Sequence, residues 1–394
     1  MRTEICDRLG IEFPIFAFSH CRDVVAAVSR AGGFGVLGAV AFSPGQLETE
    51  LDWIDDQVRD KPYGVDIIVP AKYIGIESGG LTRSEVDELI PDEHRAFVDD
   101  LLARYEVEAL PASGEGAGVG DAGVPGARGG GAGDDLMGFS HQSGQALLEV
   151  VWAHPKVRLV ANALGPAPDY LVTAAHERGI LVAGLVGTPV HAERQQLAGV
   201  DLIIAQGSEA GGHTGEIGTM VLVPQVVDAV ASTPVLAAGG IADGRQVAAA
   251  MALGAQGVWC GSVWLTTEEA ETHPVVKEKF LAATSSDTLR SRAKTGKPAR
   301  QLRSAWTDEW EDPEHPDPLA MPLQMILVGQ AEARIARAAS SSGPGGDGAR
   351  KLVNYFVGQA VGQMNEPKSA TKVVFDLVDG YVDAATRLGA TVSE

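Results

Sequence analysis

Eight short apolar runs rich in Val, Ile, Leu and Phe recur along the chain, at 13–17, 34–39, 64–69, 157–161, 181–185, 202–205, 234–238 and 257–260. Stretches with helical spacing follow them at 23–30, 44–57, 168–178, 189–198, 221–230 and 243–253. A further helix is expected from near Thr267, and another inside or after a long insertion behind the third run. Such alternation is the pattern of a parallel sheet covered by helices. Eight units in about 250 residues, insertions aside, is the size of a (β/α)8 TIM barrel. The expected fold is therefore an α/β closed barrel, with a doubly wound open sheet as the competing arrangement.

Two segments break the rhythm. Between the third and fourth runs lies an insertion at 77–153, whose middle, 111–135, holds ten glycines in 25 residues. That tract offers too little apolar surface to offset its ordering entropy, so the insertion is expected to be partly disordered. Its first half spaces Val86, Leu89, Phe97 and Leu101 as on a helix, which predicts a helical lid. A polar break at 340–348 separates two C-terminal helices expected at 322–339 and 349–364. The resulting division is a barrel over 1–283, interrupted by the 77–153 insertion, and a C-terminal helical subdomain over 284–394 packed on the barrel. The apolar faces of those last helices raise the expectation of a homo-oligomer.

Composition narrows the function classes. Lys+Arg of 31 against Asp+Glu of 52 gives a formal charge of −21, which repels nucleic-acid phosphate and anionic lipid. Neither is an expected partner. Cys6, Cys21 and Cys260 are scattered and odd in number, so neither a disulfide framework nor a metal site is expected. The start MRTEICDRLG lacks the basic, apolar pattern of a secretory signal, and no run of eighteen apolar residues occurs. A cytoplasmic location is expected.

The stretch 203–219, IIAQGSEAGGHTGEIGT, runs an apolar strand into a loop of five glycines and one histidine, His213, with Gln206 and Glu209 beside it. Glycines let backbone approach a ring or substrate closely, and an imidazole serves as base or hydrogen-bond partner near neutral pH. A tight turn carrying an exposed histidine is the plainer alternative. The seventh run ends in AAGGIADGRQ and the eighth in VWCGSVWL, with Gly239 and Gly261 22 residues apart. Loops after the seventh and eighth strands of a barrel form a recurrent phosphate site. Amides of Gly239, Gly240, Gly261 and Ser262 can hold a dianion without a lysine, and the Ser262 hydroxyl adds a donor. A phosphate-bearing cofactor or substrate is implied.

The segments AQGSEAGGHTG, AAGGIADGRQVAAAMALGAQGVWCGSVWL and FPIFAFSHCRDVVAAVSRAGGFGVLGA resemble the nitronate monooxygenase family, formerly called 2-nitropropane dioxygenases. The resemblance runs from Phe13 to about Arg303, apart from the insertion. Flavin-dependent enoyl-acyl-carrier-protein reductases share that barrel and a similar Gly-Gly-His loop. The resemblance implies a barrel that binds FMN without a covalent bond. It places Gln206, Gly211 and Gly212 against the ring or ribityl chain and makes His213 the catalytic residue. It puts the phosphate on Gly239, Gly240 and the run Trp259, Cys260, Gly261 and Ser262. Ala17, Phe18 and Ser19 would give backbone contacts to the ring, and Asp66 stands where the family usually has asparagine. The family's methionine near the end of strand one is also missing, replaced at Phe18–His20. A carboxylate at Asp66 would oppose the charge of reduced flavin unless paired or protonated.

The implied activity is FMN-dependent oxidation of alkyl nitronates, such as propionate 3-nitronate, by dioxygen to a carbonyl compound and nitrite. The alternative is an FMN-dependent NAD(P)H reductase acting on an unsaturated or keto acyl thioester. A flavin-binding protein without turnover and a sugar-phosphate-binding barrel without flavin stand further off. The segment 290–303, RSRAKTGKPARQLR, is read first as an ion-paired surface and second as an anion-binding strip. His20 is a further candidate for the site. The other histidines form no ligand-like cluster and are read as surface or capping residues, and Trp259 and Trp264 as packing between barrel and helices.

Overall fold

Each of the eight apolar runs is a strand of one closed parallel barrel in the computed structural model, which describes residues 1–69, 83–108, 141–163 and 165–392. The elements in chain order are α1 (Glu4–Leu9), β1 (Ile15–Ser19), α2 (Arg22–Arg30), β2 (Phe34–Gly38), α3 (Pro44–Gln57), β3 (Tyr63–Asp66), α4 (Arg83–Asp87), α5 (Asp92–Arg104) and α6 (His141–Trp152). They continue with β4 (Val157–Asn162), α7 (Asp169–Glu177), β5 (Leu181–Val186), α8 (Pro189–Leu197), β6 (Leu202–Gln206), β7 (Gly212–His213), α9 (Thr219–Ala229), β8 (Val235–Ala238), α10 (Gly244–Ala252) and β9 (Gly257–Cys260). Beyond the barrel strands come α11 (Pro274–Ala282), β10 (Thr288–Ser291), β11 (Ala299–Leu302), α12 (Ala305–Trp310), α13 (Leu323–Ala339), α14 (Pro344–Leu352) and α15 (Ala370–Val392).

Barrel order is β1-β2-β3-β4-β5-β6-β8-β9, closed by pairing of Ile15 with Val258 and Ala17 with Cys260. Alternation along each strand then sorts residues between two cores. Ala17, Val65, Val160, Ile203, Ala237, Val258 and Cys260 join the core between strands and helices. Phe16, Phe34, Leu159, Ile204, Leu236 and Trp259 fill the lumen together with Ile5, Cys6 and Leu9 of α1. The lumen is thus packed apolar, and α1 sits at its N-terminal end, tied by Thr3 Oγ1 donating to the carbonyl of Gln256.

The eighth barrel helix is not the one expected from near Thr267. After Cys260 the chain makes a 3-10 turn at Ser262–Thr266 and reaches α11, where Pro274, lacking an amide donor, takes the first helical position and the His273 ring accepts from the Val275 amide. Val275, Val276 and Phe280 of α11 belong to a second apolar core. Helix α15 packs against α10 and α2 instead, burying Ala370, Val373, Val374 and Leu377 in the barrel's core.

That second core draws Val86, Phe97 and Leu101 of the insertion together with Trp306, Ile326 and Leu352. The expected helical spacing at 86–101 is realised in α4 and α5, although Leu89 is exposed. Arg104 pairs with Glu309, and Arg334 donates to the carbonyls of Val107 and Glu108, so these helices are anchored to the C-terminal region. The glycine tract at 111–135 lies outside the described residues.

The helix expected at 349–364 is a second correction. Helix α14 starts inside the expected polar break, with Pro344 again first in the helix, and ends at Leu352. Residues 353–358 are drawn out because Leu302 donates to the Tyr355 carbonyl, Phe356 bridges Gln301 and Asn354 donates to Gln301 Oε1. Tertiary partners override local helix spacing there. Among the described residues no helix is long and apolar enough to cross a membrane.

Candidate active site

The C-terminal rim of the barrel gathers most of the residues singled out by the sequence. By strand alternation Phe18, Asp66 and Gln206 face the lumen at this end, each near the last residue of its strand. Phe18 stacks on Trp259 with ring centres 6.2 Å apart, and Trp259 on Phe16 at 6.1 Å. Trp259 is therefore a lumen residue and not barrel-to-helix packing. Trp264 does pack in that layer and donates its indole N–H to the Cys260 carbonyl at 2.7 Å. The side chains of Ala17 and Cys260 point away from the lumen, so only their backbones can meet a ligand. Burial pushes the Cys260 thiol up to about 12.

Asp66 is 5% exposed, and burial alone pushes its carboxyl up to about 7. A carboxyl so placed is largely neutral below that pH and would not there oppose an anionic ring. His20 reaches the same rim, its Nδ1 3.0 Å from the Gly38 carbonyl and its ring edge-on to Phe18 at 5.1 Å. A Cβ on Gly38 would lie 2.6 Å from that imidazole, so glycine there makes room for His20. Burial lowers the His20 pKa.

At the ends of β8 and β9 the backbone offers donors. Ala238 pairs with Trp259, which sets the loops that follow side by side. Gly239 and Gly240 take φ of +108° and +72°, a region open to glycine. Among the described residues no acceptor meets the amides of Gly239, Gly240 or Gly261. The Ser262 hydroxyl accepts from the Gly358 amide at 2.8 Å and keeps its own proton to donate. The amides of Ala242 and Asp243, by contrast, are already taken by Gln246 Oε1. The free donors are thus those expected to hold a phosphate.

The loop after β6 is held from far along the chain. Glu209 accepts from the amide and hydroxyl of Thr219, the first residue of α9, so its carboxylate anchors the loop on a helix N-terminus. Gly211 is needed for a chain crossing, since a Cβ there would lie 2.8 Å from the Gly358 amide nitrogen. Gly212 and His213 form β7 and pair with Arg300 and Ala299 of β11, which continues to β10. The His213 imidazole lies 2.8 Å from Thr295 Oγ1 and 6.3 Å from the Phe356 ring centre. Burial first, and the Lys297 cation second, pull its pKa down to about 4, so the ring is a neutral base at neutral pH.

The basic segment is mainly internal scaffolding. Arg290 donates to the Thr214 carbonyl and Arg300 to that of Ser208, bracing the His213 loop on both sides. Arg292 holds the carbonyls of Gly296 and Pro318, Lys294 pairs with Glu332, and Arg303 with Asp308. Lys297 alone of the six has an exposed side chain with neither an ionic partner nor a carbonyl acceptor among the described residues. Elsewhere His154 pairs with Asp55, His176 with Asp201 and His94 with the Asp317 carbonyl, so His94 and His154 are buried structural residues and not surface ones. Cys21, Asp23 and Glu271 come within 4.8 Å of one another, a grouping the sequence did not suggest, but the Cys21 thiol donates to the Glu269 carbonyl and burial raises its pKa.

A model of the nitronate monooxygenase family matches residues 137–380. The chain belongs to the nitronate monooxygenase family. A Mycobacterium tuberculosis protein, Rv1533, described by name no further than as a monooxygenase, is 59% identical over 392 residues and covers 100% of both chains. Among solved structures, the nitroalkane oxidase of Streptomyces ansochromogenes is similar with a TM-score of 0.75 at 26% identity, over 98% of this chain and 100% of its own. FabK from Thermotoga maritima is similar with a TM-score of 0.69 at 28% identity, over 99% of each chain. As a member of the nitronate monooxygenase family the chain is an oxidoreductase. Thr295, Thr219 and the Val357–Gly358 crossing were not singled out in the sequence; only the basic segment around Thr295 drew notice, for its charge.

Proposed function

We propose that this nitronate monooxygenase family member binds FMN and oxidises alkyl nitronates, and the nitroalkanes that give rise to them, with dioxygen to carbonyl compounds and nitrite. The observation that carries the reading is the pairing of two features on one rim. Amides of Gly239, Gly240 and Gly261 stand free on adjacent strand ends, and a neutral imidazole, His213, is braced over the neighbouring strand.

The residues fit the flavin. A phosphate would be held by those amides and the Ser262 hydroxyl, and the ring would lie at the mouth of a lumen capped by Phe18 and Trp259. When bound, flavin supplies the electron transfer between nitronate and dioxygen. Gln206, at the end of β6, is available to orient the ring, and Asp66 in its protonated form adds a hydrogen-bond donor. His213 removes the α-proton of a neutral nitroalkane or, with an already ionised nitronate, stays neutral and orients the nitro oxygens. The apolar lumen keeps water from the reacting carbon.

The test is oxygen uptake by FMN-loaded protein given propionate 3-nitronate, beside NADH or NADPH without nitronate. Nitronate-dependent uptake with nitrite release is expected. Rapid oxidation of NAD(P)H with inert nitronate would overturn the reading in favour of a reductase acting on an unsaturated or keto acyl thioester. Binding of FMN with neither activity would favour a flavoprotein without turnover.

A further inference from the structure

We infer that Thr295 is a positioning residue that fixes His213 in the tautomer protonated on Nε2, so that Nδ1 is the atom that takes the substrate proton. The inference rests on the proposed role of His213 as base and adds which nitrogen acts and what sets it.

The argument is an account of protons at one hydroxyl. Thr295 Oγ1 lies 2.8 Å from His213 Nε2, 3.1 Å from the Lys297 carbonyl oxygen and 3.3 Å from the Lys297 amide nitrogen. The hydroxyl has one proton and two lone pairs. The Lys297 amide can only donate, and the Lys297 carbonyl can only accept. With the hydroxyl proton on the carbonyl, one lone pair takes the Lys297 N–H and the other is left facing Nε2. The remaining pair of atoms is satisfied only if Nε2 carries the hydrogen. In the opposite tautomer the hydroxyl would turn to Nε2, and the Lys297 carbonyl would lose its partner among the described residues. Leaving such a group unpaired in a part-buried site is unfavourable, which biases the ring towards the tautomer protonated on Nε2.

The hydroxyl is not free to move away. Thr295 is 6% exposed. Its turn is held on each side: the Ser291 hydroxyl accepts from the Ala293 amide, Gln324 donates to the Ala293 carbonyl, Lys294 pairs with Glu332, and Arg292 donates to the Gly296 carbonyl. The backbone of His213 is fixed to the same unit by its pairing with Ala299. Ring and hydroxyl are therefore set by one small sheet and its turn.

With Nε2 so occupied, the lone pair on Nδ1 is the base. As the α-C–H bond of a neutral nitroalkane breaks, an N–H bond forms at Nδ1, the C–H electron pair passes to the nitro group, and the products are nitronate and imidazolium. Charge balances without another reactant. The imidazolium keeps its Nε2–H on Thr295 throughout.

The experiment is nitrogen-15 NMR of the full chain labelled at histidine, at neutral pH, for wild type, Thr295→Val and Thr295→Ser. His213 is expected to show a protonated Nε2 and a bare Nδ1 in wild type and in Thr295→Ser. Thr295→Val keeps the side-chain volume without the hydroxyl and is expected to lose that bias. In parallel, kcat for a neutral nitroalkane is expected to fall by up to about 100-fold in Thr295→Val and to recover in Thr295→Ser. A wild-type signal protonated on Nδ1, or the same tautomer in wild type and Thr295→Val, would overturn the inference even if Thr295→Val folds poorly enough to lose activity. The expected tautomer together with unchanged nitroalkane turnover in His213→Asn would instead remove the base role itself.

Discussion

The two sides of the barrel rim are assembled by different means. On the β8–β9 side the groups proposed to meet ligand are backbone amides set by neighbouring strands, and their geometry comes from the chain that carries them, as at Gly239, Gly240 and Gly261. On the β6 side the proposed functional group is a side chain, His213, and its position depends on Thr295, Ala299 and Gly358, some 80 to 150 residues later in sequence. The first construction is local and tolerant of change elsewhere. The second couples the catalytic candidate to the packing of the second core, through the basic segment that braces its loop.

The sharpest way to break this contrast is His213→Ala. It should lower kcat for neutral nitroalkanes by about 10²–10⁴-fold while FMN stays bound, read by nitrite release and flavin absorbance; loss of flavin instead would make the two sides one unit. Because the imidazole pKa lies near 4, activity on a neutral nitroalkane in the Asp66→Asn background, where no carboxyl titrates near 7, should stay level through pH 6–7 and fall only as the pH drops towards 4. An inflection near 6.5 in that background would contradict the burial argument.

Next in size is Asp66→Asn. Its folded pKa of about 7 stands above the ordinary carboxyl value of 3.8, so the folded state holds the proton more tightly than the unfolded one. Stability from this group is full below pH 4 and is lost as the pH rises towards 7 and beyond, by up to about 4 kcal/mol. Urea midpoints of wild type and Asp66→Asn should therefore diverge in the variant's favour between pH 5 and 8, and parallel curves would refute the assignment.

A smaller effect is expected at the amide side. Gly240→Ala forces a side chain onto a φ of +72° and sets its Cβ 3.1 Å from Glu209 Cβ. A cost of about 1–2 kcal/mol should weaken FMN binding roughly tenfold in a fluorescence titration, with kcat at saturating FMN much less affected.

The same contrast explains what the sequence made legible. All eight strands could be read because buried barrel strands are short apolar runs with turn residues at each end, and Gly257–Cys260 coincides with its expected span. The amide side of the rim could be read because glycines follow those strands directly. Support of His213 could not, because nothing local in GKPAR or NYFVG announces that these segments meet the His213 loop. For the same reason 349–364 resembles a helix by spacing, yet Tyr355 and Phe356 are drawn out by Leu302 and Gln301. Helix α15 was missed as the barrel's eighth helix because more than 100 residues separate it from β9, where the fold's rhythm expects a few. Trp259 was assigned to the wrong face since a four-residue strand gives alternation too few positions to read.

The most direct test of the central claim is the anaerobic half-reaction, followed by stopped-flow absorbance of FMN-loaded protein mixed with propionate 3-nitronate or with NADPH. The account predicts bleaching of the flavin by the nitronate and none by NADPH on the same timescale. Bleaching by NADPH with no response to the nitronate would contradict it.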